Sequence, residues 1–112
     1  EKFNVPAFYV ANHALLAMYA SGSTTGIAVM SGHQHTETVP VYEGHVLKEA
    51  AQKMEIGGDT LTDYLAQLMN ERGYDFRTTA ERELVRDMKE KLTYCPKDYE
   101  AELQSIQSAQ NS

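Results

Sequence analysis

The feature that most constrains the fold is a pair of β-type segments joined by only four residues. Residues 27–31 are mostly apolar, and residues 36–44 alternate between polar and apolar side chains. So tight a connection favours an antiparallel β-hairpin. Within the second segment, Val39 and Val41 point to one face and Tyr42 to the other. Pro40 has no N–H to donate, so it is expected at a sheet edge or a bulge.

Before and after this hairpin, the chain alternates between strand-like and helix-like composition. Residues 5–12 are rich in aromatic and β-branched side chains and predict a buried strand, whereas residues 13–20 predict a short buried helix. Residues 46–55 have helix-forming composition. These segments, together with the hairpin, indicate an α/β fold.

The second half of the sequence predicts two amphipathic helices and a shorter third one. Leucine and tyrosine recur at helical spacing over residues 61–68, and Gly73 supplies a C-terminal stop. Thr78 and Glu81 have capping-box spacing at the start of a helix that ends near Leu92. A further short helix is expected over residues 97–106. One strand, a hairpin and a short helix offer little surface to cover these apolar faces, so we expect the chain to pack against something else.

Composition excludes several classes of function. The net charge of −6 argues against binding to a phosphate backbone, which depends on clustered Lys and Arg. The sequence has no apolar run long enough to span a membrane and no visible signal peptide. Cys95 is the single cysteine, so an internal disulfide is impossible and a reducing compartment is the simpler expectation.

Four stretches resemble actin: "YASGSTTGI", "TVPVYEG", "LTDYL" and "ERGYDFRTTAERELVRDMKEKLTY". The resemblance covers roughly residues 3–104 and corresponds to the middle of the longer actin sequence. It implies a partial actin-like (RNase H-like) ATPase fold, in which a β-hairpin and a strand pack with amphipathic helices. On this basis residues 1–45 resemble the third actin subdomain and residues 46–106 resemble the fourth. The polar composition of residues 107–112 predicts a flexible tail.

The hairpin loop departs from the actin pattern. Actins carry Asp-Ser-Gly-Asp-Gly where this chain has Met30, Ser31, Gly32, His33 and Gln34. Backbone N–H groups of such loops hold phosphate oxygens, and glycine permits a close approach. Methionine cannot order the water shell of a hard divalent cation, and glutamine adds a side chain where phosphate should approach. The altered loop is therefore expected to be a degenerate phosphate site.

Two further positions near the expected phosphates have also changed. The resemblance places His13 where actins have a Gln that positions the attacking water, and Glu37 where they have a His beside it. Glu37 adds negative charge near where the triphosphate would lie. We therefore expect no ATP hydrolysis, no catalytic residues and no enzyme activity.

Other nucleotide positions are retained. Gly58, Arg86, Lys89 and Glu90 match family residues that line the adenine and ribose. The alternative is a solvated helix face with ordinary charge pairs such as Arg86 and Glu90. No cofactor is expected for this chain alone, and ATP or ADP with a divalent cation is expected only if the missing half of the fold is supplied.

The histidines of the loop suggest a second alternative, a metal site. If the fold holds, His13, His33 and Glu37 lie around one cleft with His35 nearby, and imidazole with carboxylate suits Zn²⁺. No fourth ligand is obvious. Polar residues that fill a site left open by the missing half would give the same pattern.

Interaction surfaces are the third set of candidates. Tyr19, Gly22 and Thr24 match the hydrophobic cleft where partner helices dock on actins, and Tyr42 and His45 lie in a segment that matches a filament-contact loop. Core packing is the alternative for Tyr19.

The sequence thus favours a non-catalytic, actin-like structural or protein-interaction component of a larger cytoskeletal or multi-subunit assembly in the cytoplasm. Its expected partners are proteins, either actin-like subunits or actin-binding proteins, and neither nucleic acid nor membrane. The alternatives are a segment of an ATP-binding filament subunit and a metal-binding protein.

Overall fold

A computed structural model describes residues 2–112 and contains four helices and a four-stranded antiparallel sheet. This mixture confirms the predicted α/β class. The chain divides into two compact units between Tyr64 and Leu65. Within residues 2–112, every helix is too short or too polar to cross a lipid bilayer. The elements are α1 (His13–Ala20), β1 (Gly26–Ser31), β2 (Thr36–Tyr42), β3 (His45–Val46), a 3₁₀ turn (Lys48–Ala50), β4 (Gln52–Met54), α2 (Gly58–Glu71), α3 (Thr79–Leu92) and α4 (Tyr99–Gln110).

The predicted hairpin forms the centre of the first unit. β1 and β2 pair antiparallel from Gly26 opposite Val41 to Ser31 opposite Thr36, which leaves the four-residue connection as the loop. On its other side β2 pairs with β3 and, further along, with β4. β1 therefore lies at an edge of the sheet and has β2 as its one neighbour within the described chain.

One face of the sheet is covered by α1. Ala14 and Met18 pack against Ala28, Val39 and Val41, and all five are buried. Asn12 fixes the start of the helix because its side-chain oxygen accepts a hydrogen bond from the Ala14 N–H at 2.9 Å. Each buried Val contributes about 1.5–3 kcal/mol of hydrophobic stabilisation. This small core fixes the face of the hairpin on which α1 lies.

The opposite face of the sheet is open. Ile27 and Val29 of β1 are 69% and 66% exposed, and Tyr42 and Met54 also remain exposed. The alternation of buried and exposed residues follows the period of two that a strand imposes. The first unit therefore presents an apolar sheet face that its own described residues leave uncovered.

Pro40 lies in the central strand, where the ladder on one side is interrupted. Its carbonyl accepts a hydrogen bond from the Leu47 N–H at 3.0 Å, so its nitrogen points to that same side of β2. There β3 has ended, the 3₁₀ turn intervenes, and β4 has not yet begun. Of the two expected positions, a sheet edge and a bulge, the edge is wrong, and the missing N–H faces a break in the ladder.

Two sequence-based assignments in this unit are wrong. Residues 5–12 form no strand, and Phe8 and Tyr9 are 84% and 88% exposed, because no segment of residues 2–112 pairs with their backbone. Residues 46–55 form no α-helix, because Gln52, Lys53 and Met54 pair with β2 instead. Pairing with a neighbouring strand overrides the helix-forming composition.

The second unit contains the end of α2 and all of α3 and α4. Gly73 has a φ of +93°, and the Tyr74 N–H that follows it donates to the Met69 carbonyl at 3.0 Å, so the predicted stop of α2 is confirmed. The boundary between the units falls inside α2. The subdomain boundary after residue 45 that the resemblance implies stays a prediction. Residues 107–110, expected in a flexible tail, form the last turn of α4.

Candidate functional site at the hairpin loop

The candidate site is the loop that joins β1 to β2, together with the start of α1. A cavity of about 380 Å³ lies here, and three histidines take part in its lining. The hairpin register fixes the loop, and packing of α1 against β1 and β2 brings the first residue of that helix, His13, alongside it. The lining residues are His13, Met30, Ser31, Gly32, His33, Gln34 and His35.

The tip of the loop docks onto the first residues of α2 through its backbone carbonyls. Gly58 N–H donates to the Gly32 carbonyl at 3.0 Å, and Asp59 N–H donates to the His33 carbonyl at 2.7 Å. The Gly32 N–H is also engaged, since it donates to the His35 carbonyl at 3.0 Å. The loop therefore presents acceptors to the helix start, where a phosphate site would need free N–H donors.

Gly57 makes this docking possible. A Cβ built at this position would lie 2.6 Å from the His33 carbonyl oxygen and 2.7 Å from that of Gly32, closer than real Cβ atoms approach. Sequence reasoning missed this residue. From the sequence, the neighbouring Gly58 was matched to a nucleotide position and Gly57 was given no role, although a glycine before a helix also permits a close approach of backbone.

Each histidine that lines the cavity lies near a carboxylate. Nε2 of His13 is 2.8 Å from Oε1 of Glu37, and Nε2 of His35 is 4.0 Å from Oε2 of the same carboxylate. Nε2 of His33 lies 3.6 Å from Oδ1 of Asp59 instead. Oε1 of Glu37 is buried and receives no hydrogen bond from the described residues, although Nε2 of His13 lies 2.8 Å away.

The residues of the metal hypothesis are only partly brought together. His13 and Glu37 meet, with His35 nearby, but His33 is directed to Asp59 because its backbone is held at the start of α2. Within residues 2–112, no three His, Cys, Asp or Glu side chains are arranged to hold a metal ion. The His13, His33 and Glu37 ligand set remains a prediction that needs movement of the loop.

The residues matched to adenine and ribose positions fall in different units. Gly58 opens α2 in the first unit, and its N–H is used by the loop. Arg86, Lys89 and Glu90 lie on α3 in the second unit. Arg86 contacts Glu83 at 2.6 Å and Glu90 at 3.7 Å, and these carboxylates, Glu83 first, raise the pKa of its guanidinium above the usual range. The i,i+4 pair proposed from the sequence as an alternative is therefore present.

The predicted partner-binding residues gather around a second turn. Glu43 and Gly44 both have positive φ, +47° and +79°, as the two-residue hairpin between Tyr42 and His45 requires. Gly44 N–H donates to the Thr24 carbonyl at 2.9 Å, and a Cβ at Gly44 would lie 2.9 Å from the Tyr19 hydroxyl oxygen. Tyr19 is 48% exposed, so it covers this turn without being a core residue.

Gly22 completes this group as the turn after α1. Its φ is +82°, its N–H donates to the Tyr19 carbonyl at 3.0 Å, and nothing lies within 4 Å of the position of a Cβ. The surface at this end of the sheet thus combines an aromatic ring, a glycine turn and a hairpin turn held together by backbone hydrogen bonds.

Comparison with protein families agrees with this architecture. The family model described as Actin matches residues 1–112, which is the full length of the sequence. The chain belongs to the actin family. The resemblance inferred from the four sequence stretches is confirmed, and the α/β architecture is that of a partial actin-like fold.

Proposed function

We propose that this chain is a non-catalytic member of the actin family that acts as a structural or protein-binding component of a larger assembly. The observation that supports it is the docking of the hairpin tip onto α2. The carbonyls of Gly32 and His33 accept from the N–H groups of Gly58 and Asp59, at 3.0 and 2.7 Å. A triphosphate would have to compete with the chain itself for these donors.

The charges around the loop also disfavour a triphosphate. Glu37 and Asp59 contribute carboxylates at the loop, and each lies within 4.0 Å of a histidine imidazole. Phosphoryl-transfer sites depend on preorganised positive charge and N–H donors. The two carboxylates add negative charge where such a site would need positive charge.

The side chains at the loop do not fit magnesium either. Met30 offers a thioether and the three histidines offer nitrogen, whereas Mg²⁺ takes oxygen ligands in octahedral geometry. Glu37 supplies the buried carboxylate oxygen, but His13 already lies 2.8 Å from it. The residues at this loop therefore do not fit a magnesium nucleotide.

The binding part of the proposal rests on surface that the first unit leaves open. An exposed apolar sheet face is formed by Ile27, Val29, Tyr42 and Met54. The turn surface around Tyr19, Gly22 and Gly44 lies at one end of the same sheet. Apolar patches of this kind mark contacts with other proteins. Actin-like subunits or actin-binding proteins in the cytoskeleton are the partners that family membership favours.

A single-turnover assay tests the catalytic part. We expect the purified chain mixed with magnesium ATP to release phosphate no faster than buffer does, with a hydrolysing actin as positive control. The same assay on the natural protein, isolated from its source, shows whether any segment outside these 112 residues restores hydrolysis. Phosphate release by that protein at the rate of the positive control would refute the proposal.

A second candidate is a segment of an ATP-binding filament subunit. It is favoured by the retention of Arg86, Lys89 and Glu90 along one helix, where Arg86 and Glu90 already pair. The intact mass of the natural protein separates the two. A mass that matches these 112 residues favours the binding component, and a mass several times larger favours the filament subunit.

A further inference from the structure

We propose that the second unit carries a docking groove for a basic amphipathic helical peptide. The groove has a volume of about 330 Å³ and lies between the end of α3, the linker that follows and α4. It extends the proposed interaction role to a separate surface, and its test involves no nucleotide. Its apolar lining residues are Leu92, Tyr94, Pro96, Tyr99, Leu103 and Ile106.

The spacing along α4 creates the floor of the groove. Tyr99, Leu103 and Ile106 follow one another at i, i+4 and i+7, so they share one helical face. They are 67%, 40% and 45% exposed, and Leu92 at the end of α3 is 73% exposed. A concave site lined by this many exposed apolar side chains is typical of a binding groove.

Local contacts hold the groove in shape. The Tyr94 hydroxyl donates to the Glu102 carboxylate and so ties the linker to the first turns of α4. Asp98 caps the helix, because its carboxylate accepts a hydrogen bond from the Ala101 N–H at 3.1 Å. A groove that is formed before binding loses less conformational entropy when a peptide enters.

The charge beside the groove selects the partner. Asp98, Glu100 and Glu102 lie at the start of α4, and Tyr99–Gln110 contains no Lys or Arg. Lys97 is the one basic residue between Leu92 and Ser112. The last turn of α3 adds Lys89 and Lys91, and Lys91 pairs with Asp87 at 3.0 Å. Over residues 87–102 five carboxylates still outnumber three lysines, so a partner with Lys or Arg along the edge of its apolar face complements this surface.

The lining also indicates that the partner is a helix. The walls are side chains on helix ends and a linker, and the α4 backbone is engaged in its own hydrogen bonds. A peptide in an extended conformation would therefore find no strand edge with which to pair. Apolar anchors repeated at helical spacing match the row formed by Tyr99, Leu103 and Ile106.

The test uses a fluorescent synthetic helix of about 18 residues, made of Leu and Lys at amphipathic spacing. We expect saturable binding to the full chain that weakens as NaCl rises from about 0.05 to about 0.5 M. Cys95, the single cysteine, is exposed next to the groove, so the bound peptide should slow its reaction with a maleimide. A peptide with Glu in place of Lys should not bind.

Matched variants locate the binding. Leu103→Gln should weaken binding at least about tenfold, and Ser105→Gln, the same final residue elsewhere on α4, should not. Glu100→Lys should reduce the salt dependence, and circular dichroism checks that each variant is folded. The proposal fails if the Lys and Glu peptides bind alike, or if Leu103→Gln and Ser105→Gln behave alike. It also fails if sedimentation shows a dimer that Leu103→Gln dissociates, since a second copy would then fill the groove.

Discussion

At the scale of single residues, Gly57 determines the position of the hairpin loop more than the histidines of the loop do. The glycine lets the Gly32 and His33 carbonyls reach the start of α2, and the imidazoles then settle near the available carboxylates. The histidine pattern was visible in the sequence, but the pairing of His33 with Asp59 was not. That pairing depends on a backbone contact between residues far apart in the chain.

Substitution of Gly57 tests this control. We expect Gly57→Ala to destabilise the chain by about 1–3 kcal/mol, because the added Cβ overlaps two carbonyl oxygens that belong to backbone. Urea denaturation measures the loss. Gly32→Ala is the matched control, since its Cβ would lie 3.7 Å from the His35 carbonyl oxygen, an ordinary contact. Equal stability of the Gly57→Ala chain and the wild type would contradict this account.

At the scale of elements, α3 is the helix whose start was predicted most completely. Thr78 accepts from the Glu81 N–H at 3.2 Å, and the Glu81 carboxylate accepts from the N–H groups of Arg77 and Thr78 at 2.9 Å each. These bonds, with the one from the Thr78 backbone largest, lower the pKa of Glu81 below its ordinary value of 4.5. The capping box was evident in the sequence because it is a local pattern.

The lowered pKa gives a pH dependence of known sign. The cap stabilises the folded chain fully above pH 4.5, and this contribution is lost as the pH falls through the lower folded pKa. We expect Glu81→Gln to be less stable than wild type at neutral pH, with the difference shrinking in acid. Denaturation midpoints of both chains between about pH 2 and 7 measure it. Glu100→Gln serves as an exposed control. A stability difference between wild type and Glu81→Gln that grows in acid would contradict the lowered pKa of Glu81.

Elements that depend on distant partners were predicted less well. Residues 46–55 look helical by composition, yet β4 forms because β2 offers free backbone groups at Thr36 to Thr38. Residues 5–12 look like a strand, yet no described segment pairs with them. Intrinsic propensity indicates only which conformations a segment can adopt. Whether it forms a helix or a strand depends on the neighbouring segments, which the whole fold determines.

At the scale of the whole molecule, the core is small for the amount of apolar surface. The buried hydrophobic residues are few, while large apolar side chains such as Phe8, Ile27 and Val29 remain exposed. This exposure supports the sequence-based expectation that the chain packs against something else, which stays a prediction. The surface that covers these faces could not be predicted, because an apolar pattern indicates that a face is buried but not what it packs against.

The open sheet face should be detectable in solution. We expect the chain to increase the fluorescence of a hydrophobic dye such as anilinonaphthalene sulfonate, and the double variant Ile27→Thr, Val29→Thr to reduce that increase. Both side chains point away from the α1 core, so threonine, which keeps β-branching, should preserve the strand. The pair Thr36→Ser, Thr38→Ser is the control. An unchanged signal would place dye binding elsewhere on the surface.

The edge position of β1 has a consequence for cells that make this protein. Its six residues, Gly26–Ser31, include no charged side chain and no proline, which are the usual gatekeepers against fibril growth. Any strand that normally covers this edge would also act as a safeguard against cross-β stacking. A gene product that lost that covering strand would then be a hazard to proteostasis as well as an incomplete protein.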